Sequence, residues 1–128
     1  MLRRLANVYT LRAELLQFIS RPKEALASAT HASQLSEELL FNPAVEQADY
    51  TVAATAVTDL GSLRMAVDDL SEARTDYGKA VEYRRRAVQA YPNSETRYAY
   101  AAALEHAGYV LMRLAGCGKT GFSPQWRQ

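Results

Sequence analysis

The residue types best suited to chemistry gather near the end of the chain. There Gly116-Cys117-Gly118-Lys119-Thr120-Gly121 contains the Gly-Lys-Thr of a phosphate-binding loop. Such a loop wraps backbone N–H groups around phosphates and needs a glycine five residues before the Gly-Lys-Thr, where this chain has Arg113. It must also open a helix, and Pro124 stands where that helix would run. The segment therefore reads as a glycine-rich helix stop followed by a tail. Cys117 is the single cysteine, has no histidine at nucleophile spacing, and is expected to be a structural thiol. His31 and His106 lack the Cys, Asp or Glu neighbours of a metal site. Glu37-Glu38 and Asp68-Asp69 suit a solvated helix surface and a helix start. Nothing here assembles an enzyme, and no cofactor or metal is expected.

Arg84, Arg85 and Arg86 make the one dense basic run. With Glu82 alongside, it reads as a solvated helix face rather than a docking patch, with Arg84 snorkelling out from a packed seam. The whole chain of 128 residues carries 15 basic and 14 acidic side chains, a formal charge of +1, so no global field draws it to nucleic acid or to a membrane surface. Tyr77, Tyr91 and Tyr98 fall on packed seams rather than on a basic stripe where bases would stack. The longest apolar stretch, Tyr98 to Cys117, is interrupted by Glu105, His106 and Arg113, too often for a membrane span. Arg12, Glu14 and Gln17 likewise break any secretory apolar run near the N-terminus, which reads as a first helix and not as a targeting segment.

Five helices must position these residues. The first should run from Leu2 to Ile19, with Leu5, Tyr9, Ala13 and Leu16 on one face. Pro22 starts a second, whose Ala25, Leu26, Ala29, Ala32, Leu35 and Leu39 make a narrow seam of small residues. Asn42 is the expected cap of a third, with Pro43 at its first position, running to Val67. Asp68 or Asp69 should cap a fourth, with Glu72 completing a capping box, and Pro92 ends it. Asn93 or Ser94 caps a fifth, from Glu95 to Leu114. Short breaks make sequential helices antiparallel. Gly61 inside the third helix costs roughly 1 kcal/mol against alanine, which implies close backbone packing there.

The chain also repeats itself. Glu24-Ala25 recurs as Glu72-Ala73, 48 residues on, and Leu60-Gly61 recurs as Ala107-Gly108, 47 residues on. Two helices per period is a solenoid signature. Leu60, Gly61, Ala73, Tyr77 and Ala80 resemble the tetratricopeptide repeat family, with a Leu-Gly pair in one helix and Ala followed by an aromatic in the next. The period exceeds the family's roughly 34 residues, so the helices are lengthened. Arg12-Ala13 replaces the Leu-Gly pair in the first copy, and the third copy has only one helix.

The resemblance implies an all-α fold of antiparallel hairpins stacked as a right-handed solenoid of about five helices over residues 1–116, with residues 117–128 as a tail. It implies a non-enzymatic interaction module that binds a peptide or helix of a protein partner on a concave face. That face would comprise Asn7, Thr10, Glu14 and Gln17; Thr58, Ser62 and Met65; and Glu105, Tyr109, Met112 and Arg113. The alternative is self-association through the last helix, whose Leu104, Ala107, Leu111 and Leu114 lack a partner helix unless Phe122 and Trp126 cover them. The expected location is the cytoplasm, with neither nucleic acid nor membrane as partner.

Overall fold

The computed structural model describes residues 2–116, which form α1 (Leu2–Phe18), α2 (Pro22–Leu40), α3 (Gln47–Ala66), α4 (Leu70–Ala90) and α5 (Ser94–Leu114). The tail with Cys117, Lys119, Phe122 and Trp126 lies outside the described residues. Each helix packs on its sequence neighbour, and α1 also meets α3, giving stacked helical hairpins as expected. Alanine dominates the buried set, from Ala6 and Ala13 through Ala25, Ala29 and Ala32 to Ala53, Ala54 and Ala56. Small side chains let helix axes approach closely, so the core is thin and divided among several small clusters.

The repeat is written in the caps. Ser20 (φ 62°), Asp68 (φ 63°) and Gly116 (φ 82°) are left-handed residues 48 positions apart, each just past the end of α1, α3 or α5. At the first two the backbone closes identically: Arg21 N–H donates to the Leu16 carbonyl at 2.8 Å, and Asp69 N–H to the Arg64 carbonyl at 2.8 Å. A reversal of this kind satisfies orphan carbonyls at a helix end and turns the chain back on itself. Helix starts repeat as well, since Glu46 N–H donates to Asp49 (2.9 Å) and Asn93 N–H to Thr96 (3.2 Å), 47 residues later.

Three local expectations change. Asn42 does not cap α3: its side chain accepts from Ala44 N–H at 2.9 Å in a turn, and the Glu46–Asp49 box starts the helix instead. Asp69 does cap α4 by accepting from Glu72 N–H, but the Glu72 carboxylate turns away to Arg64, 3.5 Å off, so the box is half made. On α1 the buried face is Ala6, Thr10, Ala13 and Leu16, while Leu5 is exposed and Tyr9 stacks on His31 with ring centroids 4.5 Å apart. Small side chains make up most of that buried face.

Gly61 fulfils its expectation. A Cβ there would stand 3.0 Å from Tyr77 Cε2 and 3.2 Å from Asp76 Cβ, so α4 leans directly on the α3 backbone. Asp76, nearly inaccessible, is gripped by Arg64 at 2.9 and 3.0 Å. Burial raises its pKa, and the guanidinium pulls it part of the way back. Tyr77 in turn packs with Ala73 and Val110, which ties α5 to the hairpin.

Candidate peptide-binding face

Recesses lie between α3 and α5 and between α1 and α3. Between α3 and α5 lies a cavity of about 280 Å³ lined by Thr55, Thr58 and Asp59, by Tyr98, Ala102, Ala103 and His106, and by Arg84 reaching in from α4. Tyr98 and Ala102 continue into a second recess with Ala101 and Glu105. A third, of about 600 Å³, runs between Arg3 and Asn7 of α1 and Gln47, Thr51 and Val52 of α3, and touches Glu95 at the start of α5.

Position along α5 explains the apolar side of this groove. Tyr98, Ala102, Glu105, Tyr109 and Met112 follow one another at alternating steps of four and three, so they share a face. Tyr98 is 78 % exposed and Tyr109 56 %. Tyr98 was expected on a packed seam; no helix follows α5 among the described residues, so its ring stands in solvent. Leu104, Leu111 and Leu114 are exposed as expected, whereas Ala107 packs against Tyr77 and Val110.

The polar side centres on two carboxyls. Burial, reinforced by the hydrogen bond and the charge of Glu14, pushes Asp59 up to about 7. Burial lowers the Arg84 pKa, which the charge of Glu95 partly restores. His106 stands edge-on to Tyr77 with centroids 6.2 Å apart. The basic run therefore divides, with Arg84 in the groove and Arg85 and Arg86 both donating to the Glu82 carboxylate, at 2.6 to 3.3 Å.

Of the residues predicted for this face, Asn7, Thr58 and Glu105 line its recesses. Tyr109, Met112, Gln17 and Glu14 are exposed, Glu14 turned toward Asp59. Thr10 is buried with its hydroxyl on the Ala6 carbonyl at 3.0 Å, the place of a residue facing α2 and not a ligand. Met65 is half-buried against the Ala73–Tyr77–Val110 cluster, Ser62 hydrogen-bonds Tyr77, and Arg113 reaches Asp68 at 3.6 Å. Thr55, Asp59, Arg84, Tyr98 and Ala102 were missed. Thr55 and Asp59 lie within one helical turn of Thr58, Ala102 lies within one turn of Glu105, Tyr98 lies two turns before Glu105 on the same face, and Arg84 comes from the neighbouring helix, which periodicity within α3 and α5 does not reach.

Among the described residues no three His, Cys, Asp or Glu side chains gather as a metal site would, and no helix is long and apolar enough to cross a membrane. No curated protein and no solved structure matches the chain. A family model described as the plant-specific mitochondrial import receptor subunit TOM20 matches residues 4–111, from the first turn of α1 to the last turn of α5. The tetratricopeptide-like reading holds at the level of stacked helical hairpins, within this more specific family. A receptor of this family is a non-enzymatic protein-interaction protein, and its mitochondrial place corrects the expected cytoplasmic location. On this match the chain belongs to the plant-specific mitochondrial import receptor TOM20 family.

Proposed function

We propose that this chain takes up the targeting segment of a protein bound for mitochondria, holding it as a helix along the groove between α3 and α5. Mitochondrial targeting segments are amphipathic, rich in arginine and poor in acids. The observation that carries the reading is the exposed set of Tyr98, Tyr109 and Met112 on the face of α5 that also bears Glu105, beside the α3–α5 recess lined by Asp59. Among the described residues Glu105, Glu95 and Glu14 are in no ion pair with the chain's own basic groups, so these exposed carboxylates are free to meet guanidinium groups. Apolar contacts supply affinity in such helix-in-groove binding, and charge sets orientation and on-rate.

Fluorescence anisotropy with a labelled arginine-rich amphipathic peptide tests this. The double change Tyr98→Ala, Tyr109→Ala should weaken binding by about tenfold or more, since aromatic anchors dominate such surfaces. A peptide of the same composition, scrambled so that its apolar face is lost, should not bind; equal binding would sink the proposal. A second reading, self-association through α5, is favoured by the exposure of Leu104, Leu111 and Leu114. A concentration-dependent sedimentation coefficient abolished by Leu104→Ser, Leu111→Ser would establish it.

A further inference from the structure

The side of α1 that faces away from α2 is as apolar as the side that faces it. Val8, Leu11, Leu15 and Phe18 recur at steps of three, four and three and so form one stripe. Leu11 is 64 % exposed, Leu15 61 % and Phe18 85 %, with Ile19 beside them at the helix end. A helix apolar on two faces is normally covered on both. Such a stripe exposes on the order of 500 Å², at the upper end of what a monomer leaves open without a function.

The near-zero net charge of the chain hides a strong local asymmetry. The first 23 residues contain five basic side chains, Arg3, Arg4, Arg12, Arg21 and Lys23, against the single acid Glu14; the remainder carries ten against thirteen. Arg4 falls within the stripe and Arg12 on its edge, both are exposed, and among the described residues neither has an ion-pair partner. Arg21 at the α1–α2 turn pairs only with exposed Glu24 at 3.5 Å.

We propose that this face of α1 docks onto an anionic phospholipid membrane, with its aliphatic stripe in the headgroup boundary and Arg4, Arg12, Arg21 and Lys23 on the lipid phosphates. Three properties favour lipid over a protein helix. Val8, Leu11, Leu15 and Phe18 line none of the recesses described above, and a stripe outside any cleft suits a flat deformable surface and not a helix that seeks a groove. Arginine and lysine stems lie along apolar surface while their charged heads reach the phosphate level. Apolar insertion together with basic attraction makes the two-signal combination that holds a protein at a bilayer. The surface lies on a different helix from the peptide groove of α3 and α5, so the two proposals fail separately.

Co-sedimentation of the full chain with vesicles tests it. The chain should pellet with vesicles of phosphatidylcholine and phosphatidylglycerol in equal parts, and only weakly with phosphatidylcholine alone. Leu11→Ser with Leu15→Ser should reduce binding by about tenfold or more, as should Arg4→Glu with Arg12→Glu, whose residual binding loses its salt dependence. Circular dichroism melting should remain unchanged in both, because all four side chains are exposed. Tyr98→Ala with Tyr109→Ala should leave vesicle binding intact. Absence of vesicle binding, equal binding to neutral vesicles, or a dimer in solution that Leu11→Ser with Leu15→Ser dissolves would each overturn the proposal, the last by showing that a second copy covers the stripe.

Discussion

Among the described residues the two ends of the stack each leave an outer face uncovered, and they leave it in different chemical states. On α1 the free face is aliphatic, with Val8, Leu11, Leu15 and Phe18 set among arginines. On α5 it is aromatic and small, with Tyr98, Ala102, Tyr109 and Met112 set beside Glu105 and across from Asp59. A repeat array has to end somewhere, and its terminal helices face solvent with surfaces that internal copies would bury. That shared geometry explains why both faces are apolar. It does not explain why one is basic and the other acidic, and this difference sorts their partners: an arginine-rich helix is repelled by the first face and attracted by the second.

The largest test of the comparison strikes the middle. Gly61→Leu would drive a side chain into Tyr77 and Asp76, and Tyr77 is the residue that seats α5. We expect a loss of about 3 kcal/mol in urea unfolding, the upper range for overpacking. Hydrogen exchange should rise in α4 and α5 and much less in α1 and α2; equal loosening at both ends would show that they are not independent units.

Arg64→Ala sharpens the same point by chemistry. It leaves buried Asp76 without its guanidinium, and breaking a buried pair costs about 3 kcal/mol where the site stays dry and less where water enters beside exposed Glu72. Differential scanning calorimetry checks it, with the α5 end again the one to loosen.

Asp59→Asn addresses the seam between α1 and α3. The Asp59 carboxyl titrates at about 7 in the fold against 3.8 ordinarily, so the folded state holds the proton more tightly. Its contribution to stability is therefore greatest below about pH 4 and declines as pH rises to about 7; raised Asp76 adds in the same direction. The asparagine variant should be more stable than the parent by about 1–2 kcal/mol above pH 7, an effect reduced by the partial solvent access of the pair. Its stability should lose that pH slope. A parent protein equally stable from pH 4 to pH 7 would contradict the assignment.

The smallest effect concerns the caps. Ser20 and Asp68 hold left-handed conformations that the third repeat gives to Gly116. Ser20→Gly should stabilise by about 0.5–1 kcal/mol, relief of the left-handed strain outweighing the entropy of glycine. Thermal melting of Ser20→Gly and Asp68→Gly side by side compares the two turns directly.

Much of the fold was legible because helix signals are local. Pro22, Asp69, Asn93 and Pro92 mark boundaries within a residue or two, and the 48-residue spacing seen in Glu24-Ala25 and Glu72-Ala73 reappears as the spacing of three left-handed caps. Gly61 announced a close approach by its cost. The site was less legible. Thr10 and Met65 were placed on the groove but sit against α2 and α4, and Tyr98 was placed in a seam but stands in solvent. An error of one residue along a helix rotates a position by about 100° and so moves it from one face to its neighbour, and a sequence with small residues on several faces does not choose among them.

By itself, then, the sequence determined the five helices, their repeat and the glycine at which two of them touch, since each depends on dihedral preference, capping and periodicity over a few turns. Only the tertiary structure decided which alanines became the core and which aromatics stayed outside. It also brought Asp59 against Glu14 across 45 residues of chain, and left one face of α1 exposed among the described residues. Those outcomes depend on how helices roll against each other, and the small side chains at their contacts permit several rotations until all five helices pack together.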